Sequence, residues 1–176
     1  MSEQKEKWQG WLALSTAIMA VLAALTTLYM GKYSSRAIMA QGQESDQWAY
    51  YQAKSIKGHT FEVNYRVLEL QLLTQRGVPP EISGEYRKTM AKYAEEIKRY
   101  DSEKKDIKQK AEGIAQAKLK AQEMGGNFAY ALIFLQIALM LASISSLTKR
   151  KYLWYIALVC NIGWLFFFLD AWLLFH

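Results

Sequence analysis

WQGWLALSTAIMAVLAALTTLYMG, residues 8–31, contains no charged side chain. A helix needs about 20 apolar residues to cross a hydrocarbon core, so this stretch predicts a transmembrane helix close to the N-terminus. Two further uncharged runs lie far along the chain, from Gly125 to Thr148 and from Tyr152 to Leu169. The segment between the first and second runs is too charged to lie in lipid: seventeen basic residues from Lys32 to Lys120 are interleaved with thirteen acidic ones up to Glu123. The pattern predicts an all-α integral membrane protein with three transmembrane helices and a long antiparallel, coiled-coil-like helical hairpin between the first and second. The expected segments are 1–31, an N-terminal tail and transmembrane helix 1; 32–124, the extramembrane hairpin, turning near 77–84; 125–148, transmembrane helix 2; 149–151, a short basic loop; and 152–176, transmembrane helix 3.

Composition fits this reading. A chain of 176 residues that is 52% hydrophobic with only 2 prolines suits helices rather than sheets or disorder. A net charge of +6 attracts phosphates in principle, but alternating signs describe solvated helix faces rather than a phosphate-binding stripe, so nucleic acid is not an expected partner. The lone Cys160 sits inside the third apolar run, which leaves no intramolecular disulfide and no thiolate metal cluster. Lys5 and Lys7 precede an uncharged run longer than a cleavable signal core, and the reading is an uncleaved signal anchor.

No proline interrupts Tyr33 to Arg76, so one long helix is expected to continue out of the first span, with bends at Gly42 and Gly58. Gly77-Val78-Pro79-Pro80 ends it, and a proline-free return helix runs from about Gly84 through Glu123, with Gly125-Gly126 as a joint. On the return limb Tyr86, Met90, Tyr93, Ile97, Tyr100, Lys104, Ile107, Ala111 and Ile114 recur at alternating four- and three-residue steps, a coiled-coil seam. On the outgoing limb Ala49, Ala53, Ile56, Thr60, Val63, Val67 and Leu70 keep the same alternation and are expected to face it. A turn at Val78 to Pro79 makes facing residue numbers sum to about 157, which sets Lys54 against Glu103, Glu69 against Lys88 and Arg76 against Glu81, with Glu62 facing Glu95 as the discordant pair. Limbs of roughly forty-five residues at 1.5 Å each would reach about 65 Å from the membrane.

Orientation follows from Lys149-Arg150-Lys151, since short basic loops stay in the cytoplasm. The N-terminus is then cytoplasmic, and the hairpin and His176 lie on the far side.

The densest set of specific side chains is Asp46, Trp48, Tyr50, Tyr51, Gln52, Lys54 and Lys57. Aromatics at helical spacing serve packing, but these three rings point in several directions and one partner limb cannot cover them all, so the cluster is a candidate interaction surface. Within the spans the polar candidates are Gln136, Asn161 and Asp170. Amides there hydrogen-bond between helices or line a path, and Asp170, near the C-terminus and beside Trp172, belongs at the interface with water. The stripe Ala13, Ala17, Ala20 and Ala24 lets helices approach closely, within the subunit or between chains. His59 and His176 have no neighbour at metal-ligand spacing, Gly31-Lys32 lacks a P-loop, and the adjacent Glu95 and Glu96 diverge on a helix. No catalytic residue, cofactor site or metal site is expected.

Ser45-Asp46-Gln47-Trp48-Ala49-Tyr50-Tyr51-Gln52-Ala53-Lys54-Ser55-Ile56-Lys57, followed by Tyr100, Glu103, Ile107 and Lys108, resembles the uncharacterised bacterial domain-of-unknown-function family 4337. The similarity runs nearly end to end and includes the Trp11 to Leu28 and Leu135 to Leu147 spans and the basic loop leading to Tyr152 to Trp154. The resemblance implies a bacterial envelope protein with no established biochemical role. The expectation is a non-enzymatic scaffold or accessory subunit of a multi-pass inner-membrane oligomer or complex, in contact with lipid. A small channel or transporter-like oligomer is the alternative.

Overall fold

The computed structural model describes residues 2–74 and 79–173, with side chains from Lys7 onward. Three α-helices account for nearly all of them: α1 (Ser2–Thr74), α2 (Pro80–Thr148) and α3 (Lys151–Leu173). No strand occurs among the described residues. Each helix holds a stretch long and apolar enough to cross a membrane, with mean hydropathy of 1.9, 2.1 and 1.9 in order. Helix α1 runs through Gly42 and Gly58 without a break, and α2 runs through Gly125-Gly126. The expected joint at that pair is therefore a continuous helix. Gly125 is buried there instead, and a Cβ on it would sit 3.5 Å from Ser34 Oγ.

Of the expected turn, residues 75–78 lie outside the described residues, and so does the Arg76 to Glu81 pair. Pro80 opens α2 at the first helical position, where its missing N–H costs nothing. Ser83 N donates to Pro79 O at 3.1 Å and starts the helical ladder.

The chain divides into two compact units, Met1–Met39 with Ala117–His176, and Ala40–Gln116. In the first, apolar unit, Trp8, Leu12, Met19, Leu135, Ala138, Ala142 and Ala157 form one cluster, and Tyr33, Met124, Phe128 and Ala171 another. Phe128 stacks on both Tyr29 and Tyr33, at 5.5 and 5.7 Å between ring centroids. Gly163 is the close-approach point of α3, because a Cβ there would meet the Phe134 ring at 2.8 Å.

The second, charged unit pairs α1 with α2. Gly58 is buried, and a Cβ on it would lie 3.4 Å from Tyr100 Cβ. Phe61 lies 5.5 Å from the Tyr93 ring and 5.7 Å from that of Tyr100, and Lys54 Nζ is 2.6 Å from Glu103 Oε2. Numbers rise on one helix as they fall on the other, so the two run antiparallel.

The return-limb stripe faces inward. Tyr100, Ile107 and Ala111 are buried, and Tyr86, Met90, Tyr93, Ile97, Lys104 and Ile114 are half-buried. The outgoing stripe does not. Ile56, Val63, Val67 and Leu70 are 68, 59, 46 and 58% exposed, and Ala49, Ala53 and Thr60 are exposed too. The inward face of α1 is Tyr51, Lys54, Gly58, Phe61, Tyr65, Leu68 and Leu72, spaced at the same three-four alternation. It is displaced by two residues, or roughly 160° around the helix. The correction has a physical cause: the rings of Tyr93 and Tyr100 need a flat aromatic and a residue without a side chain opposite them, and only the Phe61 and Gly58 face supplies both.

Candidate functional site

Residues 45–57 are helical because nothing in α1 from Tyr33 to Thr74 lacks an amide proton, and side chains three and four apart then share a face. Trp48 and Tyr51 meet edge to face at 5.7 Å, both half-buried. Lys54, one turn on, lies 5.3 Å from the Tyr50 ring centroid and 5.4 Å from that of Tyr100, and its charge meets Glu103. From the other helix, Arg99 reaches Glu96 Oε2 at 2.6 Å and Glu103 Oε1 at 3.5 Å, with its guanidinium 5.0 Å from the Tyr100 ring.

The result is a knot of two cations, two carboxylates and a buried tyrosine. The hydrogen bond from Lys54 holds the Glu103 carboxyl below its ordinary value of 4.5, and the bond to Glu103 holds Lys54 above 10.5. Both groups stay ionised through the neutral range.

The seven residues singled out at 46–57 therefore part company. Trp48, Tyr51 and Lys54 turn toward the interior, whereas Asp46, Gln52 and Lys57 are exposed and Tyr50 is 50% exposed. Tyr50 is the ring that one partner limb leaves uncovered. Sequence reasoning missed Gly58, Phe61, Glu96 and Arg99. A glycine and an aromatic at seven- and ten-residue offsets from Tyr51 were the available signal for the first two.

In the apolar unit, Asp170 Oδ2 accepts from Asn127 Nδ2 at 2.7 Å, which ties the end of α3 to α2. Asn161 donates to Ala157 O in its own helix at 3.1 Å and borders a groove of about 330 Å³ lined mostly by apolar side chains of α1 and α3, Met19 and Trp164 among them. Gln136 is exposed. Two further interhelical polar contacts come from unforeseen residues: Trp154 Nε1 donates to Ser15 Oγ and Trp164 Nε1 to Thr26 Oγ1, each at 3.1 Å. Ala13, Ala17 and Ala20 line a second groove, of about 620 Å³, with Ala142, Ser143 and Ser146 of α2.

At the α2 to α3 reversal Lys149 adopts a left-handed backbone with φ of 54°, and the fully buried Ser145 donates to Arg150 O at 2.9 Å. The loop cations stay beside rings: Arg150 donates to Tyr152 Oη at 3.1 Å, and Lys151 Nζ lies 5.7 Å from the Trp8 ring centroid. No cluster of three or more His, Cys, Asp or Glu side chains suited to a metal ion occurs among the described residues.

Residues 8–174 match the family described as Domain of unknown function (DUF4337). The chain belongs to this family. The match takes in both the apolar unit and the charged unit of this DUF4337 protein, including Trp48 to Lys57 and Arg99 to Glu103. Neither the curated proteins nor the solved structures contain a match.

Proposed function

We propose that this DUF4337 protein is a non-enzymatic structural or interaction subunit of a bacterial inner-membrane oligomer or complex. On this reading α1, α2 and α3 each cross the bilayer once, and the charged unit is a coiled-coil-like hairpin on the periplasmic side. One observation carries the reading. The most apolar windows of the three helices are only 17, 33 and 11% buried within the chain. Core helices of a water-soluble domain would bury such surface, whereas lipid leaves it outward at no cost. The Lys149 to Lys151 loop supports an interior position for the reversal, and the exposed Ala13, Ala17 and Ala20 beside Ser143 and Ser146 suit close approach by another helix. Asp46, Tyr50, Gln52 and Lys57 are the outward residues through which the hairpin would meet a partner.

A channel or transporter-like oligomer is the second reading, and it draws on the groove that Asn161 borders. The Asn161 amide bonds its own helix and the surrounding side chains are mostly apolar, which favours packing over a wet path.

The test is retention and labelling in cells. The chain should stay with membranes through an alkaline wash. Glu81→Cys in a Cys160→Ser background should react with an impermeant maleimide in intact spheroplasts. Release by the wash would overturn the spanning reading, and labelling only after lysis would overturn the orientation.

A further inference from the structure

Ile56, Val63, Val67 and Leu70 form an unpartnered apolar stripe among the described residues of the charged unit. They are the bulky members of a three-four repeat that runs from Ala49 to Leu70, on the side of α1 turned away from α2. Helix α1 thus carries two seams, one filled by α2 and one open. We infer that the open seam pairs with the same seam of a second copy of this chain, in parallel and in register. The inference deepens the interaction reading above and rests on it.

Three observations choose that occupant. Between Glu85 and Gln116 no large apolar side chain of α2 is exposed, so a second copy cannot cover the stripe with its other limb and must offer the same one. The positions flanking the seam carry no acid: they are Gln52, His59 and Arg66 on one side and Tyr50, Lys57, Asn64 and Gln71 on the other. In a parallel pair each residue of the first side meets the one five positions on, on the second side of its neighbour. Lys57 then faces an amide from Gln52 and Arg66 one from Gln71, so the two flanking cations do not meet. The third observation is geometric, because the two seams of α1 lie on opposite sides and a second copy docks without touching α2. Three heptads, about 32 Å of helix, make a contact smaller than a stable soluble dimer needs. Confinement to one bilayer in one orientation raises the local concentration enough to populate it.

The experiment uses the purified full-length chain, in a Cys160→Ser background, in phosphatidylethanolamine and phosphatidylglycerol vesicles, with mild oxidation read as a covalent band at twice the chain mass. Ile56→Cys and Leu70→Cys should each crosslink to themselves, and Ser102→Cys, on the exposed side of α2, should not. Adding Val63→Glu to the Leu70→Cys variant should drop its crosslinking to the Ser102→Cys level with unchanged helicity, since Val63 is 59% exposed in the single chain. Crosslinking at Val63→Cys without Ile56→Cys and Leu70→Cys would mean antiparallel pairing and overturn the inference. So would Ser102→Cys crosslinking as readily as the seam positions, or a native-membrane adduct at Leu70→Cys to a different protein. An oligomeric mass in nanodiscs without crosslinks at 56 and 70 sinks this seam but leaves the interaction reading standing; a single-chain mass sinks both.

Discussion

The two limbs of the charged unit differ in how many apolar faces they carry. Helix α2 has one stripe between Tyr86 and Ile114, and that stripe is inside. Helix α1 has two, and the one richer in branched aliphatic residues is outside. The difference teaches that a heptad repeat locates faces without choosing between them. The choice is made by complementarity: Tyr93 and Tyr100 present broad rings, and Phe61 with Gly58 accepts them where Val63 and Ile56 do not. An aromatic ring buries some 150–250 Å², more than any side chain of the rejected stripe offers.

The largest effects should therefore separate the stripes. Tyr100, 7% exposed and stacked on Phe61, should cost about 3–4 kcal/mol as Tyr100→Ala. Val63→Ala in the dispersed single chain should stay within about 0.5 kcal/mol. Denaturant unfolding of the charged unit, followed by circular dichroism on the full chain, measures both, and equal losses would erase the distinction. Next in size is Gly58→Leu, which places a branched side chain where Tyr100 Cβ already lies 3.4 Å from the position of a Cβ. It should destabilise by about 1–3 kcal/mol through overpacking. Gly42→Leu, with open space around the same atom, should not.

These contrasts mark what was legible in the chain. The three apolar runs, the single helix through residues 33–74 and the return-limb stripe followed from charge, proline placement and period. The Lys54 to Glu103 contact followed from the expected sum of facing numbers. Its companion did not: Lys88 lies 3.9 Å from Glu85 in its own helix, and Glu62, expected to face Glu95, lies 2.8 Å from His59 in its own helix. The outgoing seam was misread because hydrophobicity counts Ile56 and Val63 and passes over Lys54 and Gly58, whose value appears only with Tyr100 and Glu103 in place. The Trp154 to Ser15 and Trp164 to Thr26 bonds were hidden for a related reason. An indole N–H is a donor that period and hydropathy do not register.

A smaller effect tests the charged member of the buried stripe. Glu103 is held below its ordinary value of 4.5, so its contribution is present above that value and is lost as pH falls through the lowered one. Lys54 is held above 10.5, so its contribution is present below that value and is lost as pH rises through the raised one. Stability from the pair is flat between those limits. Thermal melts of the full chain should show wild type losing more Tm than Glu103→Gln between pH 7 and pH 3. Parallel losses would mean the pair sets register without contributing to stability.

A disulfide reads directly which face of α1 meets α2. Paired cysteines need Cβ atoms about 3.5–4.5 Å apart, and the Cβ position at Gly58 lies 3.4 Å from Tyr100 Cβ. Gly58→Cys with Tyr100→Cys, in a Cys160→Ser background, should close within one chain under mild oxidation. Thr60→Cys with Ile97→Cys, the pair that would meet if the Ile56 to Leu70 stripe faced α2, should stay reduced within the chain. Closure of the second pair and not the first would contradict the assignment of the two faces.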